Sequence, residues 1–385
     1  SGYSNENDGP VKTYVTIKNC SVIDVDINAT GSAAAINGHA GASDWTYTTI
    51  ENCTVENCNI NSTDSGSWRT GVVVGTANVG EVTISNITES GNTLTQTGKT
   101  APEGLKRNYY GRFVPDTTGK LTIDGEEVVM INTAEKLVAA IEDAKAGDTI
   151  TIDGDITLTE NVTIPAGVTF NGNGKQINGT LVAGGDIAFA GHTKVTAFSA
   201  GFSGYEITIG EGACLEINGD GRSTMGYNNT FNITGTITDA KSADKANIQP
   251  SLIMPAGISI TGGNGLELNI KDAYVQIGST TSKNKAANGT FTINIENSIA
   301  EFTDQLTFSE PTNGMNPTFN LNVKNSVLTT GTKLILAAPN CNMVVDNSTI
   351  DVKTYFRNSG KVELKNGSVL TGENIQFGEN GGHDG

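Results

Sequence analysis

The chain has 385 residues, with 47 Gly, only 9 Pro, 6% aromatic residues and a formal charge of -17. That acidic balance, with no basic patch, argues against nucleic acid or an anionic membrane as a partner. No apolar run is long enough to span a bilayer, so no transmembrane segment is expected, and no secretion signal is visible.

The chain opens on a polar leader, Ser1 to Gly9, and then enters a repeat at once. This abrupt start reads as a processed or truncated piece of a longer exported protein. Up to about Gly98 one phrase recurs as Ile17-Lys-Asn19, Ile50-Glu-Asn52 and Ile84-Ser-Asn86, with the Asn residues 33 and 34 apart. Between the copies lie glycine-framed apolar runs, Ala33 to Gly38 and Gly71 to Gly75, which predict a further strand on each coil. Cys20 and Cys53 follow Asn19 and Asn52, and are expected as stacked, buried free thiols. Five cysteines cannot all pair within one chain.

Lys99 to Arg112 breaks the pattern with Pro102, four basic residues and Tyr109-Tyr110. A hairpin is predicted next, Lys120 to Asp124 and Glu126 to Ile131, turning at Asp124-Gly125. Asn132-Thr-Ala-Glu135 has the form of a capping box, and Leu137, Ala140, Ile141 and Ala144 follow at helical spacing. An α-helix over about 132–146 is therefore expected, lying across the open end of a second solenoid. Short strand patterns then succeed one another, among them Thr149 to Ile152, Glu206 to Ile209 and Leu215 to Ile217, and the charged stretch Asp239 to Ala246 reads as a protruding loop.

From Leu266 to Leu370 the phrase returns five times, ending at Asp272, Asn297, Asn325, Asn347 and Asn366, at intervals of 25, 28, 22 and 19 residues. A fixed phrase at a variable interval is the mark of a stacked solenoid. Alternation places Leu266, Leu268 and Ile270, and their counterparts in later copies, on one face of each strand. The residue before each Asn or Asp should point outward and reads Lys271, Glu296, Lys324, Asp346, Lys365, a column of alternating sign. Asn269, Asn294 and Asn322 predict an outward amide stack. The Asn of the phrase itself is expected on the inner face at a bend, as a structural ladder that includes Asn19, Asn52 and Asn86.

Coil length, alternation and Asn columns resemble the right-handed parallel β-helices of the pectin-lyase-like superfamily. The glycine-flanked strands followed by Ile-x-Asn-Cys resemble the repeats of bacterial surface adhesins. The expected fold is thus all-β, a right-handed parallel β-helix in two segments: residues 1–98 with long coils and residues 132–385, joined by a connector with a hairpin over 99–131. The adhesin resemblance implies a protein, secreted or on a bacterial cell surface, that binds a glycan or a host macromolecule; a monomer is expected. The alternatives are a glycoside hydrolase or polysaccharide lyase, and a structural spacer.

Motifs for chemistry are sparse. His39, His192 and His383 lack the Gly-His-Gly setting of polygalacturonases, no Asn-Thr-Asp or Asp-Asp companion accompanies them, and no catalytic residue is assigned. Asp24 and Asp26, two apart in a strand pattern, should share one face roughly 7 Å apart. They are a candidate calcium site, as are Asp153 and Asp155, because hard cations take oxygen ligands; the alternative is a solvated outer strand. Trp45, Trp68 and Arg69 lie in polar turn sequences. With Tyr109 and Tyr110 they are the candidate sugar-binding residues, flat apolar surfaces beside polar donors. The competing reading is that they pack the turns.

Overall fold

The computed structural model describes residues 12–377, apart from 42–44, 67, 79, 100–106, 114–118, 202, 226–227, 261–264, 283–288, 309–316 and 338–339. His383 lies outside the described residues. The chain divides into two units, Ser1–Met130 and Ile131–Gly385. Both are parallel β-solenoids.

In the first unit Thr13–Lys18, Thr46–Glu51, Glu81–Ser85 and Lys120–Ile123 stack in parallel, and Glu126–Glu127 closes the sheet as the antiparallel arm of the expected hairpin. The register carries Ile17, Ile50, Ile84 and Ile123 down one inner column. Four further parallel sheets complete the coils, one of them built from Asn37–Ala40, Val74–Ala77 and Tyr110–Phe113. Tyr110–Phe113, Lys120–Ile123 and Glu126–Glu127 therefore belong to the sheets of the first unit instead of bridging two segments. Within that last sheet Gly38, Gly75 and Gly111 fall in one column. A Cβ on Gly75 would lie 2.7 Å from the Gly38 carbonyl oxygen, and one on Gly111 would lie 2.4 Å from that of Gly75, so the coils close up there only because side chains are missing.

The second unit opens with the helix Ala134–Asp143. Its N-cap is Thr133, one residue later than the capping-box pattern suggests, and the Thr133 side chain accepts from the Lys136 N–H. Leu137 and Ile141 are buried in the same apolar core as Ile150, Ile152 and Val168 of the first coils, which is the expected capping role. Ten parallel strands, from Thr149–Thr151 to Lys361–Lys365, then form one sheet, and a sixteen-stranded sheet forms the opposing wall. The inner columns of the last five coils follow the predicted register, including Ile270, Ile295, Val323, Val345 and Leu364. Phe291 and Phe319 stack in one of these columns, with ring centroids 5.2 Å apart.

The corner residues behave differently from expectation. Asn19, Asn52, Asn86, Asp272, Asn297, Asn325, Asn347 and Asn366 do form shared bends, but all have positive φ, between 45° and 56°. This left-handed conformation is one that Asn and Asp tolerate best among non-glycine residues, and here it turns the side chain away from the core. The amides bond along the outside of the corner, Asn297 Nδ2 to Asp272 Oδ1 at 2.8 Å and Asn347 Nδ2 to Asn325 Oδ1 at 2.9 Å. The inward polar column is the next residue: Ser298, Ser326 and Ser348, each at most 2% exposed. The N–H groups of Ala273, Ser298 and Ser326 each donate to the serine Oγ of the coil above at 3.0 Å, and each serine hydroxyl donates to the carbonyl two residues back. In the first unit Cys20, Cys53 and Cys58 take this place, with the same Sγ contact to the carbonyl two residues back.

The outward charge column holds at its centre, where Lys324 and Glu296 pair at 2.8 Å, and recurs in the first unit as Lys18 and Glu51 at 2.6 Å. At its end Lys365 turns instead to Glu363 of its own strand. The Asn269, Asn294 and Asn322 stack forms and is extended by Asn232, with steps of 2.7 to 2.9 Å.

Residues 235–251 do not protrude. They fold back over the sixteen-stranded sheet as a strap, burying Ile237 and Ala240 against Tyr274 and Ile299. Asn297 fastens it twice, accepting from the Ala240 N–H and donating to the Ile237 carbonyl. Lys245 pairs with Glu301, and Lys241 Nζ donates to Asn347 Oδ1 at 2.9 Å.

Candidate functional site

The ladder of the first sheet leaves one face of Thr13–Lys18 and its neighbours toward solvent. Along it run two columns fixed by register: Tyr14, Tyr47, Glu81 and Lys120, then Thr16, Thr49, Thr83 and Thr122. Tyr14 and Tyr47 are 33 residues apart in sequence, yet their rings stack at 5.1 Å and 19°. Tyr14 is 68% exposed. Lys12 Nζ lies 5.5 Å from the centre of the Tyr47 ring, a cation–π contact. Trp45, 43% exposed, stands two residues before Tyr47, and its carbonyl accepts from the Thr13 N–H at 2.8 Å, so the ladder reaches it. An aromatic ridge with threonine hydroxyls beside it is thus presented on one outer face.

Sequence reasoning placed Trp45 in this role but missed Tyr14 and Tyr47. The available signal was their equivalent position, each three residues before the Ile of Ile-x-Asn-Cys.

The other aromatic candidates are elsewhere. Tyr109 and Tyr110 are only 8% and 6% exposed, so the expectation of a free flat surface fails for both. Tyr110 begins a strand that stacks on Val74–Ala77, and the Tyr109 hydroxyl donates to the Ile87 carbonyl at 3.3 Å. Trp68 is half-buried. Arg69 is tied to Asp64 at 3.2 Å, and its N–H donates to Gln96 Oε1, which builds it into the coil.

Asp24 and Asp26 do not share a strand face. Asp24 has a φ of 57° and forms a second corner, equivalent to Asn57, between the strands Ser21–Ile23 and Asp26–Ala29. Asp26 accepts from Asn59 Nδ2 at 2.7 Å. Asp153 accepts from the Ile131 N–H and Asp155 from the Gln176 N–H, so both staple backbone. Among the described residues no group of three or more His, Cys, Asp or Glu is placed to hold a metal ion.

All five cysteines are free, and Cys20, contrary to expectation, is exposed on the first coil. Burial first, then the neighbouring Glu216, pushes the Cys214 thiol up to about 12. His192 Nε2 lies 2.8 Å from Glu216 Oε2 across adjacent coils. Glu301, Thr329 and Asp351 fall in one outward column and line an open groove of about 630 Å³. Burial raises the Glu301 carboxyl, but hydrogen bonds from Lys245, Tyr274 and Gln276 outweigh it and hold the group below its ordinary range. It is therefore an acceptor at neutral pH and not a proton donor.

Among the described residues no helix is long and apolar enough to cross a membrane. Compared with protein families, with curated proteins and with solved structures, the chain matches none.

Proposed function

We propose that this chain is a secreted or cell-surface β-solenoid of adhesin type that binds a polymeric glycan along the outer face of its first unit. The observation that carries the reading is the exposed Tyr14–Tyr47 stack with Trp45 beside it and the Thr16 and Thr49 hydroxyls one position along. Aromatic faces beside polar donors suit the apolar faces and hydroxyls of sugars. Single stacking contacts are weak and gain by repetition along a surface, which favours a polymer over a monosaccharide. A net charge of -17 favours a neutral or basic polymer over an anionic one. A right-handed, pectin-lyase-like coil belongs to the same reading, since parallel crossovers are right-handed in about 98% of cases.

The test is a glycan array probed with the full chain and with Trp45→Ala and Tyr47→Ala, followed by reducing-end and unsaturated-product assays on each hit. Binding by the parent that both substitutions weaken severalfold is expected, without product. Product release would assign a hydrolase or lyase instead, and an array with no hit would leave the spacer.

A further inference from the structure

Between the strap and the outer face of the sixteen-stranded sheet lies a cavity of about 570 Å³. That is within the range of roughly 300–1,000 Å³ typical of small-ligand sites. Its floor is an outward column of the sheet that includes Ser251 and Tyr274, and its walls are the strap and the corner residue Asp272. Gly235 lets the strap start hard against that corner, since a Cβ there would lie 2.5 Å from the Asp272 carbonyl oxygen.

Three features of the cavity point to one chemistry. The first is charge. Asp239, Asp244 and Asp272 line it with no Lys, Arg or His, because the strap's own cations, Lys241 and Lys245, are turned to Asn347 and Glu301. The three carboxylates accept from the Lys241 and Ala246 N–H groups and from Asn297 Nδ2, which fixes them while leaving lone pairs free. An anionic ligand is disfavoured in such surroundings. The second is Ser251, which lines the cavity at 5% exposure and whose hydroxyl has no hydrogen-bond partner among the described residues. The hydroxyl is open to the cavity, so it can bond to water or to the hydroxyl of a ligand that displaces it. The third is Tyr274, whose hydroxyl is held by Glu301 Oε2 and Gln276 Nε2, both at 2.5 Å, so that its ring is locked in place as part of the lining.

We propose that the strap cavity is a binding site for a single hydroxyl-rich ring bearing a positive charge, an amino sugar being the class it fits. The ligand ring sits between the strap and the sheet beside the edge of Tyr274 that lines the cavity, a ligand hydroxyl bonds to Ser251, and the ammonium faces the Asp239, Asp244 and Asp272 carboxylates. This site is separate from the aromatic ridge and does not rest on it.

The test titrates the full chain with glucosamine, glucose and glucuronate by saturation-transfer NMR, in low salt and again at physiological ionic strength. Saturable glucosamine binding, at least tenfold tighter than glucuronate and weakened by salt, is expected. Ser251→Leu, which fills the cavity, should abolish it. Asp244→Asn keeps a residue able to cap and should weaken glucosamine severalfold while leaving glucose unchanged, which provides a readout if the leucine variant does not fold. Trp45→Ala with Tyr47→Ala should change nothing at this site. No saturable binding of any of the three sugars, equal binding of glucuronate and glucosamine, or glucosamine binding lost in the ridge variants and retained in Ser251→Leu would each overturn the assignment.

Discussion

The serine column inside the second unit makes a sharp prediction about Ser326. Its hydroxyl accepts from the Ser298 N–H at 3.0 Å and donates to the Lys324 carbonyl at 2.6 Å, in a position with 0% exposure. Ser326→Ala leaves the Lys324 carbonyl with a partner, because the Asn297 N–H also bonds to it at 2.9 Å. The Ser298 N–H, however, loses its acceptor in a closed interior. A buried donor left unsatisfied costs about 1–3 kcal/mol. With a urea slope near about 3 kcal/mol/M, the unfolding midpoint should fall by roughly 0.3–1 M at unchanged slope. Ser326→Cys should lie between alanine and the parent, since cysteine fills the equivalent place in the first unit with longer contacts of 3.3 to 3.5 Å. Urea titration followed by far-UV circular dichroism, with amide exchange read at Ser298, measures both. A loss under about 0.5 kcal/mol for alanine, the usual spread of surface substitutions, or a cysteine variant less stable than alanine, would refute the ladder reasoning.

Glu301 should make the second unit sensitive to acid. Its folded value lies below the ordinary 4.5, so its contribution is fully present above that pH and is lost as pH falls through the lower folded value. The gap in urea midpoint between the parent and Glu301→Gln should therefore be constant at neutral pH and shrink below about pH 4.5; a gap that persists in acid would show that the carboxylate is not what holds the strap. Gly235→Ala places a methyl 2.5 Å from the Asp272 carbonyl oxygen and 2.7 Å from Ala273 Cα, and should displace the strap at a cost of about 1–3 kcal/mol, read as faster amide exchange at Ile237 and Ala240. Thiol titration of the native protein should count one fast cysteine, Cys20, with Cys53, Cys58, Cys214 and Cys341 reacting only after unfolding.

The stacking rule was legible in the sequence because it is local and repeated. Alternation of period two fixes which side chains face inward, and the recurring Ile-x-Asn phrase fixes the register, so the inner columns and the Lys324–Glu296 pair follow from spacing alone. Even the bends were marked, since few residues other than Asn and Asp accept the positive φ found at every one of them. That same conformation is why the direction of the Asn side chains was misjudged. Alternation says nothing about a left-handed residue, and the inward place passes to the serine or cysteine that follows.

What tertiary structure alone decided are meetings between residues far apart in sequence. Tyr14 reaches Tyr47 through the stacking of two coils, and a strand order invisible in the residues between Lys99 and Arg112 draws Tyr110 against Val74. The strap could not be foreseen, because Asp239 to Ala246 is polar in sequence and its anchors, Asn297, Glu301 and Asn347, lie 56 to 106 residues from the groups they hold. A local pattern fixes local geometry; which surfaces then cover one another depends on how many residues each coil spends between its strands, and those lengths set contacts that no short window contains.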